Sequence, residues 1–260
     1  MVIIGILRKI RDNKFLFEEL VRRDFNKKYK RTVLGMFWSV LSPLMLLLVM
    51  ALVFTNFFGR STAHYIPYLF CGNLIFSYYS ESTTSGMSSL LDNAGIFSKI
   101  NVPKYMFLLS KNISSLINFG LTIIILFIFV AANGIPFTWK FFLLLYPICA
   151  LVGFNLGVGL ILSALYVFFR DMRYLYDIFK TMLMYFSAIF YTIDSYPEKV
   201  QMMFNLNPVY VYITYFRKII IENTVPSLPL HLLAFGYAAS ALIIGAVIYK
   251  KQNFKFLYYI

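Results

Sequence analysis

Six stretches of the chain carry no charged side chain: residues 32–59, 61–80, 112–139, 141–169, 181–193 and 223–249. A helix that crosses the hydrocarbon of a bilayer needs about 20 apolar residues, because no water is present there to satisfy backbone amides and carbonyls. Five of the stretches reach that length. The fifth in order, 181–193, reaches it when 175–180 are counted as its charged end. The pattern predicts an all-α integral membrane protein with six transmembrane helices. Residues 200–216 are also uncharged but are interrupted by Gln201, Asn205, Asn207 and Pro208. Those polar groups would face lipid in a full crossing, so this segment reads as short re-entrant or interfacial helices between spans five and six. Irregular backbone at such depth survives only inside protein or beside a wet cavity, which puts the segment near a translocation path.

The cations set the orientation. Ten precede the first span (Arg8, Lys9, Arg11, Lys14, Arg22, Arg23, Lys27, Lys28, Lys30 and Arg31), and alternate loops add Lys99, Lys104, Lys111, Arg170, Arg173, Lys180, Lys250, Lys251 and Lys255. Arg60, Lys140, Lys199, Arg217 and Lys218 fall on the other side. By the positive-inside rule both termini lie in the cytoplasm, and the number of crossings is even. A full crossing at 200–216 would break that parity.

Ahead of the first span, Leu16, Phe17, Leu20, Val21 and Phe25 share one face of a helix with Arg22, Arg23, Lys27 and Lys28 beside or beyond it. Such an amphipathic helix lies in the membrane interface, with cations at the phosphates of membrane lipids. It is either a plain anchor and positive collar or a docking surface for an anionic, pyrophosphate-bearing lipid, with Lys27, Lys28, Lys30 and Arg31 as its cations. The chain thus reads as one domain, 1–260, with an interfacial part (1–34) and a six-span bundle (35–260). Residues 1–7 are too short for the apolar region of a cleavable signal, so the first span is expected to act as an uncleaved signal anchor.

Composition fits one helical membrane domain: 60% of residues are hydrophobic and 13% charged. The net charge of +13 belongs mostly to the cytoplasmic collar and points to anionic head groups, not nucleic acid. No G-x-x-x-x-G-K-[ST] loop is present, so the chain has no ATPase site of that kind. His64 and His231 stand apart from carboxylates and thiols, and Cys71 and Cys149 sit in spans, which argues against a metal centre or a disulfide. The six stretches hold no ionisable residue of the sort that carries protons or sodium through secondary transporters. The energy for any transport is therefore expected from a partner.

Two cytoplasmic segments are suited to receive it. Residues 85–92, with Ser85, Ser88, Ser89 and Asp92, can form a short helix stopped at Asn93-Ala94-Gly95 by a left-handed C-cap. Arg170, Asp171 and Arg173 follow span four, where a local ion-pair cluster is the commoner explanation. Gly153, Gly157 and Gly159 read as marks of close helix packing.

Several runs together carry a resemblance: Arg22-Arg23-Asp24-Phe25-Asn26-Lys27-Lys28-Tyr29-Lys30-Arg31-Thr32-Val33-Leu34-Gly35 leading to Trp38 and Pro43, then Val102-Pro103-Lys104-Tyr105, Phe169-Arg170-Asp171, Asn207-Pro208 and Phe216-Arg217. Their order against the spans resembles the permease subunits of ABC type-2 exporters for bacterial surface polysaccharides of the O-antigen and teichoic-acid kind. The tail departs from that pattern, since 252–260 is aromatic and basic where relatives often carry acidic residues. The resemblance implies a homodimer in the bacterial cytoplasmic (inner) membrane, with two copies of a separate ATP-binding cassette subunit. ATP and Mg would sit on that subunit, with no cofactor on this chain, and the cargo would be a lipid-linked polysaccharide. Aromatic rings pack against the C–H faces of sugars, so Tyr78, Tyr79, Phe186, Phe190, Tyr191, Tyr210 and Tyr212 are expected to include channel-lining positions. Two other readings remain open: an ABC type-2 permease for a drug, peptide or lipid, and a membrane enzyme acting on lipid-linked sugars. For the enzyme, the nearest acidic residues, Glu81 and Asp92, are not spaced as a catalytic pair.

Overall fold

The computed structural model describes residues 11–29, 32–58 and 64–259. Among them the regular structure is entirely helical. Helix α1 (Lys14–Tyr29) precedes α2 (Trp38–Phe58), α3 (Tyr65–Asp92), the short α4 (Ala94–Phe97) and α5 (Tyr105–Ala132). Then follow α6 (Leu145–Phe168), α7 (Met172–Phe186), α8 (Glu198–Phe204), α9 (Pro208–Ile220), α10 (Leu228–Gln252) and a terminal turn α11 (Phe256–Tyr259).

Four of these segments are long and apolar enough to cross a membrane: Gly35–Thr55, Tyr105–Ala132, Trp139–Phe168 and Leu228–Gln252. The chain is a multi-pass membrane protein. The stretch predicted as span two sits in α3, which has ample length at 28 residues but carries Asn73, Ser77, Glu81, Ser82 and Thr83, so its composition is too polar for the same test. The stretch predicted as span five is interrupted. Helix α7 ends after 15 residues at Phe186, and Ala188 takes a left-handed backbone (φ 47°) that a helix cannot absorb.

The bundle closes most tightly where α6 meets α10. Gly157 and Gly245 face each other there, and a Cβ on Gly245 would lie 2.5 Å from the Gly157 carbonyl oxygen. Gly159 packs on α3 in the same way, with its Cα 3.3 Å from a Cβ built on Gly86. The sequence reading of these glycines as packing positions holds: small residues let backbones approach where lipid offers no hydrophobic drive between helices.

A second, smaller cluster forms at the end of the bundle where α3 and α6 finish. Leu20 of α1, Leu90, Phe97 of α4, Phe107, Val167, Tyr249 and Phe256 are buried together. The C-terminal turn is thus part of this cluster: Phe256 is fully buried, and the Lys104 ammonium donates to the Asn253 carbonyl at 2.6 Å while lying 5.6 Å from the Phe256 ring centre. Burial lowers the Lys104 pKa from 10.5.

Helix α1 has the predicted apolar face, with Leu20 and Asp24 buried and Leu16, Phe17, Val21 and Phe25 half-buried. That face packs on α5. Residues 85–92 are not a separate short helix. They are the last two turns of α3, and the expected left-handed stop is absent: Asn93 has φ −117° and Gly95 lies inside α4. The Asn93 amide side chain caps the end instead, donating to the Ser89 carbonyl at 2.7 Å.

Candidate functional site

A polar groove runs between α2, α3 and α5. On α3, Asn73, Ser77, Glu81 and Ser85 recur at four-residue spacing; on α5, Lys111, Ser115, Asn118 and Thr122 recur at four, three and four. Such spacing puts each set on one helix face. Asn73, Ser77 and Glu81 of the first set and Ser115, Asn118 and Thr122 of the second line a cavity of about 430 Å³, with Trp38, Ser39, Ser42 and Pro43 on its third side and Tyr78 and Phe119 at its back. The Glu81 carboxylate accepts from the Asn118 amide at 2.8 Å. Below, Glu81 and Ser115 also line a second opening of about 260 Å³ shared with Asp24, Ser85, Lys111 and Ser114. Glu81 therefore lies within the helix bundle and not in a loop after span two. Helix α3 continues past Ser80, where the uncharged run ends, and carries Glu81 with it.

At the lower end, the buried Asp24 carboxylate is met by Arg23 at 2.8 Å and Lys111 at 3.3 Å and accepts from the Ser110 hydroxyl at 3.0 Å. Lys111 also reaches Asp92 at 3.4 Å, and Arg23 donates to the Asn93 side-chain oxygen at 2.7 Å. Ser88 donates to Asp92 at 2.9 Å. This network bolts α1 to the end of α3 and the start of α5. It changes the meaning of three expected site residues. Asp92 is held by Lys111 and Ser88, Ser89 is fully buried, and Ser85 is tied to the Glu81 carbonyl at 2.7 Å. The surface left open beside them is Gly95 and 98–101. Arg170 and Asp171 are exposed in the turn between α6 and α7, and Arg173 is exposed in the first turn of α7. Arg170 lies over the Tyr166 ring, 5.9 Å from its centre.

Of the expected pyrophosphate cations, Lys27 is exposed at the end of α1 and Lys28 belongs to the same helix. Lys30 and Arg31 lie outside the described residues.

At the far end of the bundle, the segment after α7 replaces helical hydrogen bonds with side-chain ones. Four consecutive carbonyls are taken: Arg217 donates to Ala188 at 2.9 Å and to Ile189 at 3.0 Å, Tyr65 donates to Phe190 at 2.7 Å, and Tyr68 to Tyr191 at 2.7 Å. Asn207 donates to the Phe186 carbonyl at 3.0 Å and caps α9 through its oxygen, which accepts from the Val209 amide at 3.0 Å. Pro208 follows at the first helical position, where its missing N–H costs nothing. Arg217 is buried, with its guanidinium 3.4 Å from the Tyr68 ring centre. The sequence offered Arg217 as a cation on the outer side and as part of the Phe216-Arg217 run, and gave no sign of its carbonyl partners.

The seven aromatics separate by burial. Tyr78, stacked on Phe119 at 4.5 Å, Tyr79 and Tyr212 are core residues at 3%, 3% and 0% exposure. Tyr79 and Tyr212 cannot present a face to a path, and Tyr78 does so only at the back of the groove. Phe190 stacks on Phe54 at 4.7 Å, and Tyr210 packs on Phe204 at 5.4 Å. Phe186 is exposed and Tyr191 half-buried. The exposed face of α7 continues through Tyr174, Ile178, Phe179, Met182 and Tyr185.

Comparison with known proteins agrees with this architecture. Residues 16–221 match the family model described as ABC-2 type transporter. The chain is 27% identical over 247 residues to the O-antigen export system permease protein RfbA of Klebsiella pneumoniae, covering 93% of this chain and 95% of that protein. It is 26% identical over 227 residues to the protein of the same name from Myxococcus xanthus, covering 86% of each. A match across most of the chain, including α1, the grooved helices α2, α3 and α5, and the Arg217 helix, establishes that it belongs to the ABC-2 type transporter family.

Proposed function

We propose that the chain is the membrane subunit of an ATP-driven exporter that moves a lipid-linked polysaccharide of the O-antigen type across a bacterial cytoplasmic membrane. The observation that carries this reading is its alignment over nearly its whole length with permeases named for O-antigen export. The chain works as a homodimer with two copies of an ATP-binding subunit. That subunit supplies ATP and Mg chemistry, and this chain has no ATPase site of its own. It forms one domain with six crossings (α2, α3, α5, α6, α7 with its irregular extension, and α10), and α8 and α9 re-enter from the outer side. Side-chain capture of four successive carbonyls supports that last point, because it makes non-helical backbone tolerable at depth.

The ATP-binding subunit docks on the exposed tip formed by Asp92, α4 and Lys99, and on the Arg170–Arg173 turn. Lys27, Lys28, Lys30 and Arg31 form the cation collar for a pyrophosphate head group. The aromatics that meet sugar on the way out are those α7 leaves open, Phe186 and Tyr185, with Tyr191 beyond them. The test is reconstitution with the ATP-binding subunit in proteoliposomes. Lipid-linked glycan should stimulate ATP hydrolysis and become accessible to an impermeant glycosidase on the far side. Stimulation by an amphipathic drug or a plain phospholipid, with no response to glycan, would replace this reading with the general ABC-2 permease.

A further inference from the structure

We infer that the pocket enclosed by residues 188–194, α8 and α9 binds one sugar unit of the passing glycan through its hydroxyl groups. The inference rests on the export reading above and adds a station beyond the aromatics of α7. The pocket holds about 280 Å³, with Tyr68 of α3, Thr192 and Asp194 of the irregular segment, Gln201 of α8, and Thr214 and Lys218 of α9 on its walls. That volume sits at the lower edge of the ~300–1,000 Å³ of small-molecule sites, which suits a single ring better than a drug-sized molecule.

The walls are held in place by bonds already made. Tyr210, Thr214, Arg217 and Ile221 recur at four, three and four residues, so one face of α9 forms a side of the pocket. Arg217 binds the Ala188 and Ile189 carbonyls and lies on the Tyr68 ring, which pins the irregular segment to that face. The Gln201 amide donates to the Tyr196 carbonyl at 2.9 Å and to the Asp194 carbonyl at 3.4 Å, fixing the backbone that carries the Asp194 carboxylate. A site whose parts are fixed beforehand loses little freedom on binding.

The chemistry of the lining chooses the ligand. Asp194 and Glu222 bring carboxylates, which accept hydrogen bonds; Thr192 and Thr214 bring hydroxyls, which donate and accept, and Lys218 donates. A sugar uses every one of these, because each of its hydroxyls can donate to one neighbour and accept from another. A phosphate only accepts and would be repelled by the two carboxylates, and an acyl chain would strip water from the polar groups with nothing in exchange. Tyr68, whose hydroxyl donates to the Tyr191 carbonyl, adds aromatic surface for the C–H face of the ring. Asp194 and Glu222 are exposed, so water competes for them and the sugar is held weakly enough to move on.

The test is saturation-transfer NMR on the permease with its ATP-binding subunit in lipid discs, with the methyl glycosides of glucose, mannose, galactose and rhamnose as probes. Saturation should pass to the ring protons of at least one glycoside, and excess inorganic phosphate should not displace it. Asp194→Asn, at an exposed position, should weaken that binding about ten-fold, the scale of a lost charge-assisted hydrogen-bond pair. Thr214→Leu should abolish it by filling the pocket; if that variant does not fold, Asp194→Asn decides alone. No transfer to any glycoside, displacement by phosphate, or unchanged transfer in the folded variants overturns the inference. Glycan-stimulated ATP hydrolysis is measured on the same discs. Stimulation without saturation transfer ends the pocket inference and leaves the export reading, whereas variant-sensitive transfer without stimulation keeps the sugar site and ends the export reading.

Discussion

Helices α2 and α6 come from equally uncharged stretches, yet they occupy opposite environments. Helix α2 leaves Met45, Leu46, Leu48, Val49 and Leu52 exposed and buries little beyond Ser39 and Leu47. Helix α6 lies between α3 and α10, with Leu151, Asn155, Gly157, Gly159 and Ser163 buried. Hydropathy tells which segments tolerate lipid and is silent on which find protein neighbours. Small and polar residues carry that information, because they permit backbone approach and hydrogen bonding where lipid cannot supply either. The broad bare face of α2 is available to a second copy of the chain or to lipid.

The comparison breaks most sharply at Gly157. In Gly157→Leu the new side chain would meet the Ala241–Leu242 backbone of α10, which has no rotamer to give. The cost should exceed the usual ~1–3 kcal/mol of overpacking, and the variant should lose monodisperse protein in detergent. Leu48→Ala on α2 removes an apolar group of nearly that size but should change the thermal midpoint of the isolated protomer by an amount equivalent to less than ~0.5 kcal/mol. Any larger effect of Leu48→Ala would show that α2 is covered, and in a dimer it should appear as weakened self-association.

A second contrast is between the two ends of the bundle. The turn after α7 takes two of its four captured carbonyls from Arg217 alone, whereas the opposite end of the bundle spreads its bonds over Arg23, Asp24, Lys111, Asp92 and Asn93. Arg217→Met leaves the Ala188 and Ile189 carbonyls unpaired and should cost about 2–3 kcal/mol, since bonds from a charged donor are worth about 1.5–3. Arg217→Lys should recover little of that, because an ammonium cannot span the two carbonyls and the Tyr68 ring together. Full stability with lysine would mean that charge alone matters there. Asp24→Asn should cost less, about 1–2 kcal/mol: Asp24 is buried, but Arg23 is partly exposed and can rehydrate. The readout is faster proteolysis within α1 with an unchanged bundle midpoint.

Much of the fold was legible from charge-free runs and glycines, and the missing parts have identifiable causes. Helix α3 was cut short at Ser80 because Glu81 ended the uncharged run, although the Asn73-Ser77-Glu81-Ser85 spacing already marked a single polar face. That same stripe held the groove. The stop expected at Asn93-Ala94-Gly95 failed because the Asn93 side chain takes the Ser89 carbonyl and removes the need for a left-handed residue. The aromatics could not be sorted from sequence, since Tyr79 and Tyr212 in the core and Phe186 on the surface all sit in equally apolar neighbourhoods. Arg217 was invisible as a structural residue because its partners are backbone carbonyls, which leave no trace in side-chain patterns.

The smallest expected effect lies where the C-terminal turn docks. Phe256 is buried against Tyr249 and Phe168, and Lys104 holds the Asn253 carbonyl. Burial lowers the Lys104 pKa below 10.5, so the docked state binds fewer protons than the undocked one. Linkage then fixes the sign: docking strengthens as pH rises through the lowered pKa toward 10.5 and is weakest below it. A spin label at Tyr258→Cys, with Cys71 and Cys149 replaced, should lose mobility as pH rises through the lowered Lys104 pKa toward 10.5. In Lys104→Met that pH response should vanish while Phe256 keeps the turn in place. Phe256→Ala should instead free the label at every pH, with a cost capped by the local free energy of the turn and not by the full ~3–5 kcal/mol of a core Phe→Ala change. A response that persists in Lys104→Met would move the titration to another group and leave the turn held by its aromatic contacts alone.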